Sequence, residues 1–133
     1  MLRFTVPGAP VAKGRPRIST RGGFARAYTP QKTVAYEGLI ALAAEIAMCD
    51  APQYAGPVSL NVTAVFAIPP SWSKKRQRAA QWHVGKPDGD NLLKAVGDGL
   101  NGVVWKDDSQ VASARIIKVY GETPGLTVEV EAL

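Results

Sequence analysis

The sequence predicts an α+β fold in a single domain of 133 residues. Apolar and polar residues alternate from 58 to 68, which is typical of a strand that buries one face. Apolar residues over 30–48 indicate a long helix before this strand, and two further strands are expected at 111–120 and 126–130. Because these elements do not alternate regularly, the pattern favours α+β over a doubly wound parallel sheet.

The first third of the chain adds a strand and an irregular basic segment. Residues 2–6 predict a short strand, which the run 7–10, with its two prolines, cannot continue. Residues 13–28 are basic and rich in glycine, so we expect a basic arm or hairpin loop there. Thr29 is the expected N-cap of the long helix, with Pro30 at its first position.

Two shorter helices are predicted in the second half. Ser71 or Ser73 caps a short basic helix, and Asp90 caps a helix over residues 90–100. The apolar run 103–105 predicts a short strand. The last two strands are close enough in sequence to pair as a hairpin.

The net charge of +5 is unevenly distributed. Residues 1–36 and 74–86 hold twelve of the sixteen basic residues and no acid, whereas residues 38–73 contain no Lys or Arg. Such blocks are expected of a protein with a polyanionic partner, although a charged surface that only keeps the protein in solution is the alternative. The candidate DNA-binding residues are Lys13, Arg15, Arg17, Lys74, Lys75, Arg76, Arg78 and Lys86.

Cysteine usage and hydropathy indicate a cytoplasmic protein. The one cysteine, Cys49, cannot form an internal disulfide, and we expect a buried thiol in a reducing compartment. No apolar run approaches the roughly 20 residues that a membrane span requires. The N-terminus lacks the long apolar core of a signal peptide.

Four aspartates flank the predicted helix 90–100. Asp88 and Asp90 lie at its start, and Asp107 and Asp108 lie in the turn that follows it. The helix is about 16 Å long, and the returning chain can bring Asp108 back beside Asp88 and Asp90. Three converging carboxylates suit Mg²⁺ or Mn²⁺. The single His and single Cys cannot form a zinc site.

Lys94 follows Asp90 by four residues, so both lie on one helical face. A lysine beside a metal-bound phosphate can neutralise the charge that develops on phosphorus. Each residue also has a structural interpretation: Asp90 as a cap, Asp107 and Asp108 as a polar turn, and Lys94 as a salt-bridge partner of Asp90. Because the carboxylates occur in a chain with twelve basic residues in two blocks, the combination favours metal-dependent cleavage of a nucleic acid.

Two segments carry a family resemblance. The main one covers 26 residues and reads Lys86-Pro87-Asp88-Gly89-Asp90-Asn91-Leu92-Leu93-Lys94, then continues from Asp98 through Trp105-Lys106-Asp107-Asp108-Ser109-Gln110-Val111. The other reads Gly8-Ala9-Pro10, followed by Lys13-Gly14-Arg15-Pro16-Arg17. Together they resemble the RusA-type Holliday-junction resolvases, or crossover junction endodeoxyribonucleases, which are common in bacteria and their prophages.

The resemblance implies an α+β homodimer with a mixed β-sheet packed against helices. Its members bind four-way DNA junctions and make paired, Mg²⁺-dependent cuts in recombination and repair. Their essential acids, which are the metal ligands, match Asp88, Asp90 and Asp108, and their essential lysine matches Lys94. Asp107 matches a further family acid.

An aromatic residue often precedes the acids in this family and helps to distort the junction. Trp82 and His83 are the nearest candidates here. A core position in the preceding helix is the alternative for Trp82. A two-fold dimer would supply the two active sites that cuts in opposed strands of a four-way junction require.

Three alternatives stay open. The chain could be a non-catalytic basic DNA-binding protein, with the acids as caps and turn residues. It could be a metal-dependent nuclease for other branched DNA, such as flaps or forks. It could also be an inactive phage remnant, although the presence of all four matched residues argues against that.

Overall fold

The computed structural model describes residues 1–12, 17–19, 22–23, 26–28 and 31–133. One sheet contains four strands, in the order β1 (Leu2–Pro7), β6 (Gly125–Ala132), β4 (Val58–Ala67), β5 (Val111–Gly121). The sheet is mixed, because β4 runs parallel to β5 while β6 is antiparallel to both β4 and β1. The predicted α+β fold with a mixed sheet is therefore confirmed.

A separate two-stranded hairpin joins β2 (Arg17–Ser19) to β3 (Arg26–Tyr28). It lies within the basic segment 13–28, for which an arm or a hairpin loop was expected. In the main sheet, by contrast, the expected pairing of the last two strands is wrong. β4 lies between β5 and β6, and residues 122–124 cross its end.

One face of the sheet carries the core. Alternate residues of β4 are buried, as its period of two predicts. The parallel register places Ala114, Ile116 and Lys118 of β5 beside Leu60, Val62 and Ala64 of β4, so that these six side chains share one face. The helices α1 (Gln31–Met48) and α3 (Gly89–Leu100) pack against the sheet and against each other.

Helix α1 follows the prediction at its C-terminus. It ends at Met48, and Cys49 has a positive φ of 53°. Cys49 is exposed, so the expectation of a buried thiol is wrong. The residue lies in the turn beyond the last helical residue, where no element covers it. Thr29 and Pro30, the expected start of the helix, lie outside the described residues.

The two later helices differ from the prediction at one cap. Ser73 caps α2 (Lys74–Ala79), and its hydroxyl accepts a hydrogen bond from the backbone N–H of Arg76 at 3.2 Å. The N-cap of α3 is Asp88, so the assignment of Asp90 was wrong. The backbone N–H of Leu92 donates to the Asp88 carbonyl at 3.1 Å, which places Asp90 inside the first turn.

The strand predicted at residues 103–105 is not formed. Gly102 adopts a φ of 79°, and its N–H donates to the Trp105 carbonyl at 2.7 Å, which closes a tight turn. The Trp105 indole N–H donates to Asn101 Oδ1 at 2.8 Å. Val104 and Trp105 are fully buried, so this apolar run reflects core packing within a turn. Among the helices in the described ranges, none is long and apolar enough to cross a membrane.

Candidate active site

Three of the residues predicted to be catalytic line one cavity of about 210 Å³. Asp90 and Lys94 reach it from α3, and Asp108 reaches it from the turn before β5. Apolar residues form the rest of its lining, and Leu60 and Ala114 belong to the helix-covered face of the sheet. The chain therefore returns Asp108 to the helix that carries Asp90, as the sequence predicted.

Lys94 pairs with different acids from the one expected. Its Nζ lies 3.5 Å from Asp98 Oδ1 and 4.0 Å from Asp108 Oδ2. The sequence suggested a pair with Asp90, one turn earlier on α3. Asp98 was therefore missed as a candidate, although its position four residues after Lys94 could have indicated it. The ammonium therefore lies close to Asp108, one of the predicted ligands.

Close packing sets the position of the Asp108 carboxylate. Asp108 begins a single 3-10 turn, Asp108–Gln110, and its side chain packs against Gly97 of α3. A Cβ atom added to Gly97 would lie 3.2 Å from Asp108 Oδ2 and 3.4 Å from Asp108 Cβ. Glycine at this position thus leaves the space that the carboxylate occupies.

Asp107 has a structural partner instead. Its carboxylate accepts a hydrogen bond from the Ser109 N–H at 3.1 Å and caps the 3-10 turn. Hydrogen bonds from Ser109 hold the pKa of Asp107 below its usual value. The Asp107 carboxylate thus caps the turn, whereas the Asp108 side chain lines the cavity.

Gln110 fixes the same turn from its other side. Its Nε2 donates to the carbonyls of Tyr54 and Gly56 at 2.8 and 3.1 Å. Its Oε1 accepts from the backbone N–H groups of Lys106 and Asp107 at 3.0 and 3.4 Å. One amide side chain therefore ties the segment that carries Asp108 to the loop before β4.

Asp88 is placed at the start of α3, outside the residues that line the cavity. It is exposed, and its carboxylate makes no capping hydrogen bond. Within the described part of the chain, no three acidic, His or Cys side chains converge closely enough to form a ready-made metal cage. The ligand set Asp88, Asp90 and Asp108 therefore stays a prediction.

The donor chemistry nevertheless fits Mg²⁺ or Mn²⁺. Asp90 and Asp108 face one cavity with carboxylate oxygens, and Asp88 stands two residues before Asp90. Mg²⁺ is commonly held by one or two carboxylates together with water and substrate phosphates, so a complete protein cage is not required. Such a set of hard oxygen donors suits these cations.

The comparison with known families agrees with this geometry. The family model described as endodeoxyribonuclease RusA matches residues 7–131. The chain belongs to the RusA endodeoxyribonuclease family. It is 37% identical over 135 residues to the uncharacterized protein YqaN of Bacillus subtilis (strain 168), covering 96% of this chain and 93% of that protein. It is 33% identical over 75 residues to the crossover junction endodeoxyribonuclease rusA of Lactococcus phage r1t, covering 56% and 53% of the two chains.

The basic block around α2 is exposed in this RusA-family chain. Arg76 stacks on the Trp72 ring at 3.7 Å. The side chains of the block that are exposed are Lys74, Lys75, Arg76, Arg78 and Lys86. Of the N-terminal candidates, Lys13 and Arg15 lie outside the described residues, and the side chain of Arg17 does too.

The aromatic residues before the acids take different positions. Trp82 is 59% exposed and lies beyond the end of α2, so the alternative of a core position in that helix is wrong. The His83 ring stacks on Phe66 with centroids 3.7 Å apart, and Tyr120 lies on another side at 5.1 Å. Burial, with the nearby Lys118 ammonium, lowers the pKa of His83.

Proposed function

We propose that this RusA-family protein is an Mg²⁺-dependent, structure-specific endonuclease that resolves Holliday junctions in recombination and repair. A single domain over residues 1–133 would act as a homodimer in the cytoplasm. The observation that carries the proposal is the shared cavity of Asp90, Lys94 and Asp108. Asp90 and Lys94 come from α3 and Asp108 from a separate turn, yet all three match one family motif. We do not expect such an arrangement to arise by chance on a surface.

Each side chain has a task in this proposal. Asp88, Asp90 and Asp108 would hold the divalent cation, for which Mn²⁺ can substitute. When bound, such a cation polarises a phosphoryl oxygen and lowers the pKa of the attacking water. Lys94 stands beside Asp108 with its side chain 58% exposed, so it can reach a phosphate in the cavity. Its charge would stabilise the negative charge that develops there in the transition state.

The basic residues would position the DNA. Lys74, Lys75, Arg76 and Arg78 form one exposed run, and Lys86 lies just before Asp88. Contacts to phosphates fix the orientation of DNA but carry no sequence information. Discrimination of the four-way junction is therefore assigned to the arrangement of two active sites in a two-fold dimer.

The test uses labelled four-way, Y-shaped and linear duplex DNA, each incubated with Mg²⁺ or with a chelator. We expect paired cuts in the four-way junction only when Mg²⁺ is present, and no cuts with Asp90→Asn. Binding without cleavage under every metal condition would support the non-catalytic DNA-binding alternative. Preferred cleavage of the Y-shaped substrate would support a nuclease for other branched DNA.

A further inference from the structure

The segment that leads into Asp88 is held along the exposed edge of β5. The Tyr120 N–H donates to the Gln81 carbonyl at 2.9 Å, and the His83 N–H donates to the Lys118 carbonyl at 3.0 Å. This short pairing stops after His83. The next residues, 84–87, continue to the N-cap of α3 without further ladder bonds to β5 among the backbone hydrogen bonds of the described chain.

The Lys118 side chain spans this gap. Its Nζ donates to the Gly85 carbonyl at 2.7 Å and to the Pro87 carbonyl at 2.8 Å. Pro87 directly precedes Asp88, so its carbonyl is the last backbone acceptor before that acid. Pro87 has no N–H of its own to donate to β5. One ammonium thus fixes two carbonyls on either side of Lys86.

The position of Lys118 differs from that of a DNA-facing lysine. It is half-buried and lies on the sheet face that the helices cover, beside the fully buried Ala64. Two of its three N–H donors are used by the protein's own backbone. Charge-assisted hydrogen bonds are about twice as strong as neutral ones, so these contacts restrain the segment effectively.

We propose that Lys118 is a positioning residue that sets where Asp88 stands relative to Asp90 and Asp108. This inference rests on the proposed metal-dependent cleavage. Asp88 is exposed and makes no capping hydrogen bond, so its own side chain does not fix it. The position of its carboxylate instead follows from the backbone that Lys118 restrains.

The test replaces Lys118 by Met, which keeps the length of the side chain and removes the donors. The control is Arg115→Met on the same strand, because Arg115 is exposed and its register partner Asn61 places it on the opposite face of the sheet. Both changes remove one positive charge. Any difference between them therefore reports the contacts of Lys118 and not the loss of net charge.

For Lys118→Met we expect at least a tenfold slower junction cleavage and a severalfold higher Mn²⁺ concentration at half-maximal rate. Junction affinity and its salt dependence should stay within twofold of the unsubstituted protein. Hydrogen–deuterium exchange should accelerate in peptides covering 83–92 and not in β1, β4 or α1. Arg115→Met should leave all five of these quantities unchanged.

Lys118→Arg supplies the second variant, because it retains the charge and the donors. We expect it to restore exchange protection of 83–92 and part of the cleavage rate. If Lys118→Met lowers affinity and makes its salt dependence shallower, Lys118 is a phosphate contact and the proposal is wrong. The proposal is also wrong if exchange rises throughout the chain in both variants, or if Lys118→Met cleaves and exchanges normally.

The exchange measurement separates this inference from the function on which it rests. Absence of cleavage by the unsubstituted protein and by Arg115→Met would contradict the proposed nuclease. Exchange over 83–92 would still show whether Lys118 restrains the segment. Normal exchange there would overturn the positioning role whichever way the cleavage assay turned out.

Discussion

Replacing Gly97 by Ala is expected to displace the Asp108 carboxylate while changing the stability of the fold only a little. Gly97 is buried within α3, and an added Cβ would lie 3.2 Å from Asp108 Oδ2. That distance is a few tenths of an ångström shorter than ordinary contact, so the carboxylate has to move. It can do so because the Asp108 side chain is 33% exposed. The backbone of α3 is not required to shift.

Two effects of the substitution oppose each other in stability. Ala favours an interior helical position over Gly by about 1 kcal/mol. Moving the partly exposed Asp108 side chain costs less than moving buried backbone, so we expect the free energy of unfolding to change by less than about 1 kcal/mol. For a chain of this size that corresponds to a shift in Tm of at most about 4 °C.

Cleavage should respond more strongly than stability. Misplacing a reacting group by about 1 Å can cost a factor of about 100 in rate, so a displacement of a few tenths predicts a loss of about tenfold. The assay measures single-turnover cleavage of a labelled four-way junction beside thermal unfolding. Gly38→Ala is the matched control, because Gly38 lies in the exposed middle of α1 with open space around its Cα.

Gly38→Ala should raise the stability by about 1 kcal/mol with an unchanged cleavage rate. Gly97→Ala with the cleavage rate of the unsubstituted protein would refute the reasoning, because Asp108 would then tolerate displacement. A drop in Tm of more than about 8 °C would also refute the reasoning, on a second ground. It would show that the helix backbone, and not the Asp108 side chain, gives way.

Three further predictions concern the remaining site residues. Asp108→Asn should abolish cleavage while junction binding stays equal or tightens. Asp107→Asn should lower the cleavage rate less, because the Asp107 carboxylate caps the turn. Equal losses of cleavage rate in the two variants would contradict this ranking. Lys94→Ala should lower the single-turnover rate far more than the affinity, since its charge acts in the transition state, and equal losses would make it a binding residue only. Alanine at all of Lys74–Arg76 should make the slope of log affinity against log salt shallower by up to about 2.7, at about 0.9 per phosphate contact. An unchanged slope would mean that α2 faces away from DNA.

The sequence by itself determined the elements that local pattern controls. The period of two in β4 predicted its buried face. The sequence also predicted Ser71 or Ser73 as the cap of α2, and Ser73 takes that place. Motif spacing also predicted that a short return would bring Asp108 back beside Asp88 and Asp90. Asp90 and Asp108 do line one cavity, whereas Asp88 lies outside its lining. These features depend on neighbours within about twenty residues, so they can be predicted from periodicity and chain length.

Tertiary structure alone decided the features that depend on which elements become neighbours. Sequence proximity favoured a hairpin of the last two strands, but β4 lies between them and pairs with both along its length, which satisfies the backbone groups on both of its edges. The short apolar run at 103–105 could suit either a strand or a buried turn, and packing around Trp105 selected the turn.

The contacts that orient the acids were also beyond local pattern. Lys118 lies 33 residues from Gly85 in sequence, and Gln110 lies 56 residues from Tyr54. A lysine or glutamine in a strand carries no local indication that its donors will satisfy distant carbonyls. The partners of Gln110 come within reach only after β4 pairs with β5, and those of Lys118 only after residues 81–83 pair with the edge of β5. The motif therefore predicted candidate site residues, but it could not predict the distant groups that hold their backbone.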